Sequence, residues 1–103
     1  MGVVDNLEAL LAQGTDNALL RFALANEYLK LGQHAQAIQH LRQAVAYDPL
    51  YSAAWKRLGK ALAETGQHEA AKATFAAGIR AATEKGDLQA AKEMQVFLKR
   101  LQV

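Results

Sequence analysis

Three histidines are the residues of this chain best suited to chemistry, and two of them are placed alike. His34 and His68 each follow a Gly-Gln pair and lie 34 residues apart. Two imidazoles could begin a metal site, but no carboxylate or third histidine is spaced to complete one. Each is therefore read as a half-buried ring filling a turn between helices. His40, six residues past His34, falls off that helical face and is expected to be exposed. The hydroxyls of Thr15 and Ser52 stand at turn starts and read as helix caps. No hydrolase elbow, zincin, P-loop or dinucleotide fingerprint occurs. Glu64 and Glu69 read as solvated helix ends, and Tyr28, Tyr47 and Tyr51 as packing residues. No enzyme, metal site or cofactor is expected. What remains is a cluster of cations. Lys56 and Lys60 are one helical turn apart, so they share a face, and Arg57 lies beside them.

The elements that must carry these residues follow from composition. A chain of 103 residues without cysteine suits one domain with no disulfide framework and no thiolate metal site. Charges interrupt every apolar run, so no segment is expected to span a bilayer. The first eight residues hold two acids and no base, which argues against a secretory leader and for a cytoplasmic location. With 22 Ala, 15 Leu, one Pro and few Val or Ile, the chain is expected to be all-α. The net charge of +2 hides a tilt: residues 1–51 carry −2 and residues 52–103 carry +4.

Internal repetition sets the helices. A shift of 34 residues pairs Gly32-Gln33-His34 with Gly66-Gln67-His68, Leu24 with Leu58, Ala25 with Gly59, Ala37 with Ala71, Leu41 with Phe75, and Ala44 with Gly78. Punctuation predicts helices from about Asp16 to Leu31, capped by Thr15 or Asp16, and from Gln33 to Tyr47, stopped by Asp48-Pro49. Two more run from Ser52 to Thr65 and from Gln67 to about Glu84, closed by Gly86. A helix over residues 3–14 reads as the second half of a truncated preceding unit. A last helix, capped by Asp87 and running to about Leu101, fits the 34-residue frame only with a slip of about two residues. About six helices result, arranged as hairpins. The units are residues 18–51 and 52–85, with a capping helix over 87–101. Small Ala25 and Gly59 allow close approach within a hairpin, while Trp55, Leu58, Leu62 and Phe75 fill the space between.

These residues resemble the tetratricopeptide repeat (TPR) family. Trp55-Lys56-Arg57-Leu58-Gly59 carries its W-x-x-L-G. Leu24, Ala25, Tyr28, Gly32, Ala37, Ile38, Leu41, Ala44 and Asp48-Pro49 occupy its packing positions. Arg21 stands where the family prefers an aromatic, and Thr83 where it prefers proline. The resemblance implies a short solenoid of antiparallel hairpins whose first helices line a concave groove. That face would present Phe22, Asn26, Leu29 and Lys30 from one unit and Lys56, Arg57 and Lys60 from the next. Apolar walls with a cationic rim suit an acidic, partly apolar peptide or protein segment. Some family members clamp a C-terminal carboxylate. Here Asn26 matches one clamp position, but Phe22 and Arg57 replace a lysine and an asparagine, so that activity is not expected.

The expected function is a non-catalytic interaction adaptor, monomeric, with no membrane contact. Two rivals remain. One is a nucleic-acid-associated factor using the basic C-terminal half, against which stand interspersed acids and the lack of an aromatic stacking platform. The other is a self-assembling repeat module, a homo-oligomer stacked through its terminal helices.

Overall fold

The computed structural model describes residues 2–103 and contains six α-helices, with no strand among them: α1 (Val3–Ala12), α2 (Ala18–Lys30), α3 (His34–Tyr47), α4 (Ser52–Glu64), α5 (His68–Lys85) and α6 (Leu88–Gln102). Successive helices pack as neighbours, and α4 also touches α6. The all-α hairpin architecture is thus the one the composition and repeat imply.

The hairpin turns are made twice in the same way. Gly32 and Gly66 take left-handed φ values of 72° and 80°, a conformation that a Cβ disfavours. The next amide then reaches back five residues. Gln33 N donates to Tyr28 O at 2.9 Å, and Gln67 N to Leu62 O at 2.9 Å. Carbonyls left open at each helix end are satisfied, and the chain reverses in a few residues.

Small residues bring the helices together. Ala25 and Ala37 are fully buried between α2 and α3, and Ala71 between α4 and α5. At Gly59 a Cβ would collide with the ring of Phe75, and at Gly78 it would lie 2.8 Å from Trp55 Cβ and 2.5 Å from Met94 Sδ. Leu24, Leu41, Leu62, Phe75 and Met94 are the largest fully buried side chains. Each contributes on the order of 2–3 kcal/mol of burial free energy. Trp55 is only half-buried, because its indole N–H donates outward to Pro49 O at 2.8 Å.

Two helix starts differ from the expectation, and one agrees with it. Asn17, not Thr15 or Asp16, caps α2, its Oδ1 accepting from Leu20 N at 2.8 Å. Asp16 is drawn instead to Arg21, through two bonds of 2.8 and 2.9 Å. Ser52 does not cap α4. It is the first helical residue, buried, and its hydroxyl donates to Asp87 Oδ2 at 2.6 Å. Asp87 does cap α6, its Oδ1 accepting from Ala90 N at 3.2 Å.

The last helix keeps the repeat's packing in a shifted frame. Adding 36 rather than 34 carries Ala54 onto Ala90, Leu58 onto Met94 and Leu62 onto Leu98, and the first two of these pairs are buried throughout. Helix α5 has 18 residues against 14 in α3, while the link that follows is shorter, which produces the two-residue offset.

Candidate functional site

Helices α2, α4 and α6 supply most of the side chains that line two clefts. The first cleft, about 720 Å³, lies among α1, α2 and α4, with Ala23, Asn26, Leu29, Lys30 and Arg57 on its wall and Val3 and Leu7 of α1 opposite. A smaller recess of about 160 Å³ continues it past Leu29, Arg57 and Lys60 to His34 and Glu64. Asn26, Leu29, Lys30, Arg57 and Lys60 are therefore brought to one continuous surface.

Two of the expected groove residues are engaged elsewhere. Phe22 packs on Tyr51, with ring centroids 4.8 Å apart. Lys56 reaches across to α6, where Nζ meets Glu93 Oε1 at 3.1 Å. Lys30 is exposed and holds Glu27 Oε2 at 2.9 Å. Among the described residues, no carboxylate lies within salt-bridge distance of Arg57 or Lys60. Those two cations give the surface its free charge.

Asn26 carries the most telling atom. Its Oδ1 is buried and has no hydrogen-bond partner. A buried polar atom left unpaired costs about 1–3 kcal/mol, and Asn26 also lines the cleft, so turning its amide toward the open face would let it meet a donor there.

The histidines divide into three environments. His34 is half-buried. Its Nε2 meets Glu64 Oε2 at 3.0 Å and its Nδ1 meets Gly32 O at 3.2 Å. Both partners are acceptors, and the Glu64 carboxylate first, then the Gly32 carbonyl, raise the imidazole pKa. Glu64 is an exposed helix end, as expected, and in addition a partner of His34. His68, at the matching place in the next hairpin, is exposed. His40 is buried, against expectation. Tyr28 stacks on its ring at 5.5 Å between centroids, Arg21 Nη1 donates to Nδ1 at 3.1 Å, and Glu8 Oε1 lies 3.7 Å from Nε2. The Arg21 bond needs a free lone pair on Nδ1. Burial, with the Arg21 charge behind it, lowers the pKa of His40. The helical face missed this because Tyr28 of α2 stacks on the ring and Glu8 of α1 reaches it, partners that lie, with Arg21, 12 to 32 residues away.

Arg21 explains its own departure from an aromatic. It joins Asp16 to His40, while Tyr47 OH also donates to Asp16 at 2.7 Å. Hydrogen bonds from Arg21 and Tyr47 lower the Asp16 pKa to about 2. This network fastens helices together and lies away from the cleft. Among the described residues, no group of three His, Asp or Glu side chains could hold a metal ion, and no helix is long and apolar enough to cross a membrane.

Sequence reasoning missed the contribution of α6. A second pocket of about 220 Å³ lies between α4 and α6, lined by Lys60, Ala63, Glu64, Phe75, Phe97, Arg100 and Leu101. The two-residue slip hid it, since the 34-residue frame puts the wrong residues of α6 on that face.

A tetratricopeptide repeat family model matches residues 28–94. A TPR repeat-containing protein of Pseudomonas aeruginosa is 46% identical over 99 residues, spanning 96% of this chain and 94% of that protein. Among solved structures, a protein from Bordetella parapertussis is 48% identical with a TM-score of 0.83, over 98% of this chain and 88% of that one. YrrB, a TPR protein with an unusual peptide-binding site, superposes with a TM-score of 0.71 at 25% identity, over 96% of this chain and 58% of its own.

Proposed function

Because this chain belongs to the tetratricopeptide repeat family, we propose that it is a non-catalytic adaptor holding an acidic, partly apolar peptide or protein segment along the α2–α4 cleft. In this reading residues 18–51 and 52–85 are two repeats, and α6 opens a third in the shifted frame. The observation that carries the reading is the unpaired, buried Oδ1 of Asn26 in the cleft wall. Turned to the open face of the cleft, the amide of Asn26 accepts from a backbone N–H of a bound segment and gains the missing partner. Leu29 offers apolar contact, and the free charges of Arg57 and Lys60 select carboxylates. The peptide-binding site named for YrrB supports the same use of the scaffold.

Fluorescence anisotropy with an array of acidic-apolar peptides, their charge-inverted counterparts and a mixed-sequence oligonucleotide tests this. Acidic peptides should bind, more weakly at high salt, and Asn26→Ala and Arg57→Glu should each weaken them by about tenfold or more. Binding by the oligonucleotide alone would replace the adaptor reading with the nucleic-acid one.

A further inference from the structure

The two clefts between successive first helices share Lys60 and Glu64 on their walls but differ in the rest of their lining. In the α2–α4 recess, Glu64 reaches back to His34 and lines the space with a polar pair. Carrying α4 onto α6 by 36 residues turns Glu64 into Arg100 and Ala61 into Phe97. His68, the counterpart of His34, is exposed and meets no carboxylate among the described residues. The α4–α6 pocket is therefore left open. Phe97 stacks on Phe75 with centroids 5.6 Å apart, and Ala63 and Leu101 complete the apolar lining.

Cations flank that lining. Lys60 Nζ lies 5.3 Å from the Phe97 ring centre and Arg100 Cζ lies 5.8 Å from it. Neither has a carboxylate within salt-bridge distance among the described residues. Glu64, which also lines the pocket, is held by His34. At about 220 Å³ the pocket is smaller than the roughly 300–1,000 Å³ of small-molecule sites and suits a single large side chain.

We propose that the α4–α6 pocket is an anchor subsite for a bulky apolar side chain flanked by carboxylates, its apolar part seated on Phe97, Ala63 and Leu101 over the buried Phe75 and its carboxylates met by Lys60 and Arg100. The inference rests on the adaptor reading above and adds where the segment is fixed and by which residue type. The small α4 residue Ala63, standing where the preceding unit has Leu29, leaves the space free.

The test is amide-shift titration of the full chain with the capped peptide Asp-Glu-Phe-Glu-Asp, alongside the same peptide with Ala at its centre. Saturable shifts are expected at Ala63, Phe97 and Leu101, with the Ala peptide about tenfold weaker or worse. Ala63→Leu, which fills the pocket, and Arg100→Glu, a surface change that leaves the core alone, should each weaken the shifts at Phe97 to the same degree. Shifts confined to Asn26 and Arg57 would overturn the anchor subsite while the adaptor reading stands. Shifts at neither set would overturn both. Shifts at Phe97 that grow with protein concentration without peptide would assign the pocket to a second copy of the chain and overturn the proposal.

Discussion

Ser52 and Asp87, 35 residues apart, share one carboxylate between two helix starts: Ser52 Oγ donates to Oδ2 at 2.6 Å while Oδ1 accepts from Ala90 N at 3.2 Å. The first turn of α4 is thereby tied to the first turn of α6. The Ser52 bond, and then the Ala90 amide, lower the pKa of Asp87. A carboxylate lowered in the folded state contributes stability that is present above its ordinary 3.8 and lost as pH falls through the folded value. Ser52→Ala should therefore raise the Asp87 pKa toward 3.8, read by carbon-detected NMR titration, and reduce the acid-side loss of stability. An unchanged Asp87 titration in the mutant would show that Ser52 does not hold it.

Gly59 faces the ring of Phe75 with no room for a methyl group. Gly59→Ala improves helix propensity by about 1 kcal/mol but overpacks a filled core, at about 1–3 kcal/mol. Overpacking should win, because Phe75 is held by Phe97 and is 1% exposed. The melting temperature should fall by roughly 4–8 °C for each kcal/mol lost. Adding Phe75→Leu should lower stability further by less than Phe75→Leu does alone, a coupling that a double-mutant cycle measures.

The hairpins were legible because they are written locally. Gly32, Gly66 and the stop at Asp48-Pro49 act within one or two turns of chain, and the small residues at 25, 37, 59 and 71 act across a single hairpin. Family resemblance added the face of α2 and α4 on which Asn26, Leu29 and Arg57 meet. What stayed hidden depends on distant partners. Choosing Asn17 over Asp16 as cap required knowing that Arg21 and Tyr47 take the Asp16 oxygens. The burial of His40 required Tyr28 of α2 to stack on its ring and Glu8 of α1 to reach it. The engagement of Lys56 with Glu93 and the existence of the Phe97 pocket both required the α6 frame, which a two-residue slip moves off the repeat.

Acid should loosen the α1 end of the molecule through His40. The groups facing it are Arg21, which donates to Nδ1, Glu8 and Tyr28, with Asp16 behind Arg21. Its pKa is lowered below 6.5, so the unfolded chain binds the proton more readily. Stability on this account falls as pH drops below 6.5 and reaches its full loss below the folded value. His34 works in the other direction: its pKa is raised, so its contribution is complete below 6.5 and fades as pH climbs through the folded value. Urea midpoints between about pH 7 and about pH 5 should fall in a Glu64→Gln background, which weakens the His34 effect, and should flatten when His40→Gln is added. A slope that survives His40→Gln would assign the acid sensitivity elsewhere.

Neighbouring cations of α4 should separate under charge reversal. Arg57 is exposed and meets no carboxylate among the described residues, so Arg57→Glu should leave stability within about 0.5 kcal/mol. Lys56 is partly buried against Glu93, and its reversal sets two carboxylates where an ion pair stood. A part-exposed pair contributes about 0.2–1 kcal/mol, and turning it into a repulsion should cost about 1 kcal/mol or slightly more. Salt should shrink that cost, and Glu93→Lys should restore stability in the double mutant, since it rebuilds the pair with its ends exchanged. Binding of an acidic peptide should show the opposite pattern. Arg57→Glu should weaken it mainly through the association rate at low salt, and the double exchange at positions 56 and 93, which leaves net charge unchanged, should leave it nearly intact. Thermal melts and anisotropy on the same four proteins decide the point. Equal losses of stability for Arg57→Glu and Lys56→Glu would show that the contact between α4 and α6 does not depend on the Lys56–Glu93 pair.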